Sequence, residues 1–124
     1  ATGAGNKTLT ASSTGTVAVG ATGTGSTTIT RVNSLSVVST DSSGTPGNAT
    51  NNNLSGRAAF AAAASTVVIT NSQVTAASKV FVSLTGTADA TLKYVTVTAA
   101  AGSFTVTGNA TATATTVFDF LVVN

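Results

Sequence analysis

Five short apolar runs, Thr66 to Thr70, Lys79 to Leu84, Leu92 to Thr98, Phe104 to Thr107 and Val117 to Val123, start 12 or 13 residues apart with turn residues between them. No long stretch carries the 3.6-residue period of an amphipathic helix, so this spacing restricts the chain to short strands packed as a sandwich or barrel. Alternation within the runs assigns faces. In Lys79 to Leu84, Val80, Val82 and Leu84 share one face while Lys79, Phe81 and Ser83 share the other. In Leu92 to Thr98 the phase breaks between Tyr94 and Val95, which predicts a β-bulge there. In the last run Phe118, Phe120 and Val122 face one way and Val117, Asp119, Leu121 and Val123 the other, so both faces of that strand want cover.

Weaker strands are expected upstream, at Lys7 to Thr10, Thr16 to Val19, Thr27 to Val32 and Leu35 to Ser39. Thr40 to Gly56 holds the only proline and three consecutive asparagines, and reads as a polar loop. Ala58 to Ala64 has helix propensity, but seven residues without an amphipathic face do not hold a helix. The expected organisation is an extended segment over residues 1–15 and a single β domain over 16–124, with its polar loop at 40–56. The fold class is all-β, a jelly-roll-like β-sandwich of about 8–9 short strands.

Composition decides which chemistry is available. Thr, Ala, Val, Ser and Gly fill 91 of 124 positions, and His, Cys, Met, Trp and Glu are absent. There is no imidazole base, thiolate or soft metal ligand, and a Ser or Thr hydroxyl becomes a nucleophile only beside a base. Ser78 and Lys79 are adjacent, but strand neighbours point to opposite faces. The glycines at 20, 23 and 25 do not form a phosphate loop. The only acids, Asp41, Asp89 and Asp119, lie in separate segments: the first two read as turn residues, and Asp119 either faces solvent or pairs with a cation across a subunit seam. The chain reads as non-enzymatic and without a cofactor or metal.

The charges argue against two partner classes. Lys7, Arg31, Arg57, Lys79 and Lys93 are scattered singly and the net charge is +2, so nucleic-acid binding by a clustered basic face is not expected. No run approaches the roughly 20 apolar residues needed to span a bilayer, and no membrane partner is expected. Four glycosylation-type sequons, at Asn6, Asn48, Asn53 and Asn109, are what a chain this rich in Ser and Thr produces by chance. A lectin would want an aromatic platform, and Tyr94 is the lone polar aromatic. Thr-x-Thr ladders can order water on a sheet face, but no solenoid period supports an ice-binding array. A mean hydropathy of +0.39 with 6% charged residues suits a protein embedded in a larger assembly.

From Gly56 onward the chain contains a Gly56-Arg57 start, the block STVVITNSQVTAASKVF over Ser65 to Phe81, AGSFTV over Ala101 to Val106, NATAT from Asn109 and a closing strand of aromatics and valines. This resembles a small β domain of tailed-bacteriophage virion structural proteins, of capsid decoration (cement) or fibre type. The resemblance implies a virion structural protein that decorates and stabilises an assembled head; the N-terminal residues show no basic n-region or apolar h-region of a secretory signal, so synthesis in the host cytoplasm is expected. A phage tail or fibre component is the alternative, and a bacterial cell-surface or filament subunit the third reading. Its partners are then the major capsid protein or another virion protein, and further copies of itself. A Val-based core is thin against the chain entropy lost on folding, so a homo-oligomer, a trimer, is expected. Its seam is placed at Val117, Asp119, Leu121 and Val123, and capsid contact at Lys7, Thr8, Leu9 and Pro46.

Overall fold

A computed structural model of the chain describes residues 37–86 and 88–124, which form an all-β sandwich of two four-stranded sheets. The strands are β1 (Ser39–Asp41), β2 (Ala49–Thr50), β3 (Ser55–Phe60), β4 (Thr66–Thr70), β5 (Lys79–Thr85), β6 (Val95–Ala100), β7 (Ser103–Gly108) and β8 (Thr116–Val123). The first sheet has the order β1-β3-β8-β5 and the second β2-β4-β7-β6. Period-2 alternation sets what each sheet turns inward. β8 contributes Phe118, Phe120 and Val122 to the core, β4 contributes Val67 and Ile69, and β7 contributes Phe104 and Val106. Val80, Val82 and Leu84 of β5 pack against this core, as do Val95, Val97 and Ala99 of β6. Two ring pairs concentrate the packing: Phe60 lies 5.4 Å from Phe118, and Phe104 meets Phe120 edge-on at 5.0 Å. Each large side chain so buried is worth about 1.5–3 kcal/mol, which is why four phenylalanines matter among so many valines.

The first three strands of this layout were not legible in the sequence. The segment expected to be a loop, Thr40 to Gly56, is mostly turn and irregular chain, but it also carries the last two residues of β1, all of β2 and the first two of β3. β1 runs parallel to β3 and β2 parallel to β4, and the link 42–48 carries the chain from the edge of one sheet to the edge of the other. Asparagine side chains hold this crossing. Asn51 Nδ2 donates to Thr40 O at 3.0 Å, Asn48 Oδ1 accepts from Val68 N at 2.9 Å, and the fully buried Asn71 donates to Asn53 O at 2.8 Å. The alanine-rich stretch makes no helix. Ala58 to Phe60 finish β3, and Ala63 turns the chain with φ at 65°.

β3 lies in the middle of the first sheet because Gly56 allows it. A Cβ there would stand 2.6 Å from the Phe120 ring, so glycine lets β3 pass over that ring while paired to β8. The bulge expected at Tyr94 is absent. β6 begins only at Val95, because the N–H groups of Lys93 and Tyr94 donate to Asn109 Oδ1 at 2.8 and 3.0 Å, outside any sheet ladder. The strands expected at Lys7 to Thr10, Thr16 to Val19 and Thr27 to Val32 lie outside the described residues. Of Leu35 to Ser39, only Ser39 is in a strand among the described positions.

Candidate functional site

The open face of the first sheet gathers the expected interface residues. β8 is central, so its outward side chains are flanked on both sides. Leu121 lies between Ser55 of β3 and Phe81 of β5, Asp119 between Arg57 and Ser83, and Val123 beside Lys79. Phe81 is 63% exposed, Val123 46% and Leu121 40%, while Val117 is half-buried. Directly opposed side chains in such a ladder sit about 4.5–5.5 Å apart at Cβ, so Phe81, Leu121 and Val123 form one apolar patch. Phe81 and Lys79 belong to this site although the sequence reading placed the seam on β8 alone. The available signal was a phenylalanine in the polar phase of Lys79 to Leu84.

Asp119 finds its cation within its own chain. Arg57 lies directly across the β3–β8 ladder, and its Nε and Nη2 donate to the two carboxylate oxygens at 2.7 and 3.0 Å. The expected alternatives, solvent or a partner across a seam, are thus resolved on the open face by a bidentate pair inside the sheet. Both side chains stay more than 40% exposed, so solvent screens the pair and it adds little to stability. Asp41 stands on the other side of Arg57. The Ser43 hydroxyl and N–H, at 2.6 and 2.8 Å, hold its carboxyl below the usual range. With Lys79, the face carries two cations and two anions around its apolar centre.

Asp89 is the third acid and is more than the turn residue it reads as. It is only 5% exposed and sits where the segments 88–94 and 109–115 meet. Its Oδ1 accepts from the N–H groups of Thr91 and Leu92, both at 2.9 Å. Its Oδ2 accepts from Thr113 N, Thr113 Oγ1 and Ala114 N at 2.9, 2.9 and 3.1 Å. These bonds, those from Leu92 and Thr91 foremost, hold the carboxyl well below the ordinary aspartate range. Donors surround both oxygens, so the group serves as a loop clamp and leaves no lone pairs for a metal. The cavity beside it, lined by Leu84, Gly86, Ala88, Leu92 and Lys93, holds about 130 Å³, below the 300–1,000 Å³ of ordinary small-molecule sites.

Among the capsid-contact residues, Pro46 is exposed on the 42–48 crossing, and Lys7, Thr8 and Leu9 lie outside the described residues. Three sequon asparagines carry structural hydrogen bonds. Asn48 and Asn109 cap strand ends as above, and Asn53 Nδ2 donates to Thr40 Oγ1 at 2.6 Å. No family model, curated protein or solved structure matches the chain.

Proposed function

We propose that the chain is a non-enzymatic virion structural protein, a decoration protein that binds and stabilises an assembled phage head as a homo-oligomer, a trimer. The observation that carries this reading is the open face of the first sheet, where Phe81, Leu121 and Val123 are exposed together on ordered strands. A patch of this kind marks an association surface. Its surroundings favour a second copy of the same chain. Arg57 and Lys79 balance Asp41 and Asp119 within one face, so the face sets no net charge against a second copy. The blocks that resemble virion β domains fall in β3, β4, β5, β7 and β8 and hold most of the buried side chains, which supports treating the resemblance as one of a whole domain. Each of the three carboxylates is taken up by fixed donors, and this favours a structural role over a chemical one.

Attachment to the head is assigned to Lys7, Thr8 and Leu9 together with the crossing around Pro46. With so few charges, it should rest on apolar and backbone contacts and respond weakly to salt. The test is to produce particles without the protein. They are expected to assemble but to lose DNA or rupture at lower temperature, and adding the protein back restores resistance. Particles with normal head stability that fail at host attachment overturn the decoration reading in favour of a tail or fibre component.

A further inference from the structure

The outer face of the second sheet differs from that of the first in having no charge and almost no large side chain. Strand register places three rows across β4, β7 and β6: Thr66, Thr107 and Thr96; Val68, Thr105 and Thr98; Thr70, Ser103 and Ala100. Thr50 of β2 extends the last row. Thr66, Thr70, Thr96, Thr98 and Thr107 are exposed, and Thr105 and Ser103 are half-buried. Hydroxyls elsewhere in the domain, on Thr75, Thr91, Thr113 and Thr116, bond to protein groups; those of this face bond to no described residue. Behind them Val67, Ile69, Phe104 and Val106 are fully buried, so the rows are backed by the best-packed part of the core.

We infer that this face is an ice-binding surface, whose ligand is the ordered water of an ice crystal. Adjacent strands repeat at about 4.8 Å, and alternate residues along a strand at about 6.7 Å. Threonine hydroxyls held on that grid repeat at distances close to those of the oxygens on a prism face of ice. Their γ-methyls, with Val68 and Ala100, favour caged water between the hydroxyls, and no charge imposes a competing hydration shell. Neighbouring strands twist by roughly 20–25°, so the match holds over a few rows only. The expected activity is therefore inhibition of ice recrystallisation, with little depression of the freezing point. The sequence hid this array because its rows join strands that are far apart or antiparallel in the chain, which leaves no fixed period.

The inference stands apart from the virion reading and is tested on the isolated chain. The unaltered protein is expected to enrich in a slowly grown ice fraction and to slow crystal coarsening, against a size-matched control protein. Thr107→Lys and Thr98→Lys, separately, should reduce both effects by roughly tenfold, since each sets a charge against a face that must shed water. Ala76→Lys, exposed in the link between β4 and β5, should leave them unchanged, and circular dichroism should report the same fold for all. Absence of enrichment in the unaltered protein, or full activity in both threonine variants, overturns the proposal.

Discussion

Asp89 keeps its charge while buried because fixed N–H and O–H groups converge on both its oxygens. Since its folded pKa is depressed, the stability it contributes is complete above the unfolded value near 4 and is lost as the pH falls below that toward the folded value. Asp89→Asn places an amide NH₂ among donors. It is expected to lower Tm at neutral pH by more than about 5 °C. Thermal melts of both proteins should show that gap narrowing below about pH 4; an unchanged gap assigns the loss to packing instead. Gly56 poses the opposite problem, of space. Gly56→Ala pushes a methyl into the Phe120 ring and is expected to cost about 1–3 kcal/mol in urea unfolding, unless β3 and β8 separate to admit it.

At the scale of elements, one turn is strained by composition. Ala63 is exposed and sits at φ 65°, its N–H donating to Ala112 O at 2.8 Å, so Ala63→Gly should stabilise the domain by about 0.5–1 kcal/mol in the same unfolding assay. This turn also shows what the sequence can and cannot disclose. β4, β5, β7 and β8 announce themselves through alternation or dense apolar residues, and the outward phase of β8 gave part of the candidate site. β3 did not, because Ser55 to Phe60 is half alanine or glycine locally and becomes a strand through its pairing with β8. β1 and β2 are still less legible. They are parallel, three and two residues long, and fixed by side chains of Asn48, Asn51 and Asn53 from the very segment whose composition signals a loop. Lys93 and Tyr94 read in sequence as a continuation of β6, but Asn109, from another loop, takes their N–H groups.

For the whole molecule, the two outer faces have different characters: one apolar with balanced charge, the other an uncharged hydroxyl grid. Leu121 is already 40% exposed within its own chain, so Leu121→Asp should leave the monomer folded. If copies meet through that face, the substitution strands a charge in the seam and breaks the oligomer. Light scattering after size exclusion is expected to show an oligomer for the unaltered chain and a monomer for the variant; a monomer for both removes the assembly reading. The crossing formed by β1 and β2 gives the domain a mechanical property as well. Val37 to Leu54 supplies no large side chain to the core and is held by two short parallel ladders and asparagine bonds. Under tension between Val37 and Asn124, this stretch should peel away first and release roughly 60 Å at about 3.3–3.6 Å per residue, while the sandwich of β3 to β8 stays intact. In a single-molecule pulling trace that release is a small, low-force extension ahead of the main rupture, a reserve of length that lets the domain yield to a pull without unfolding.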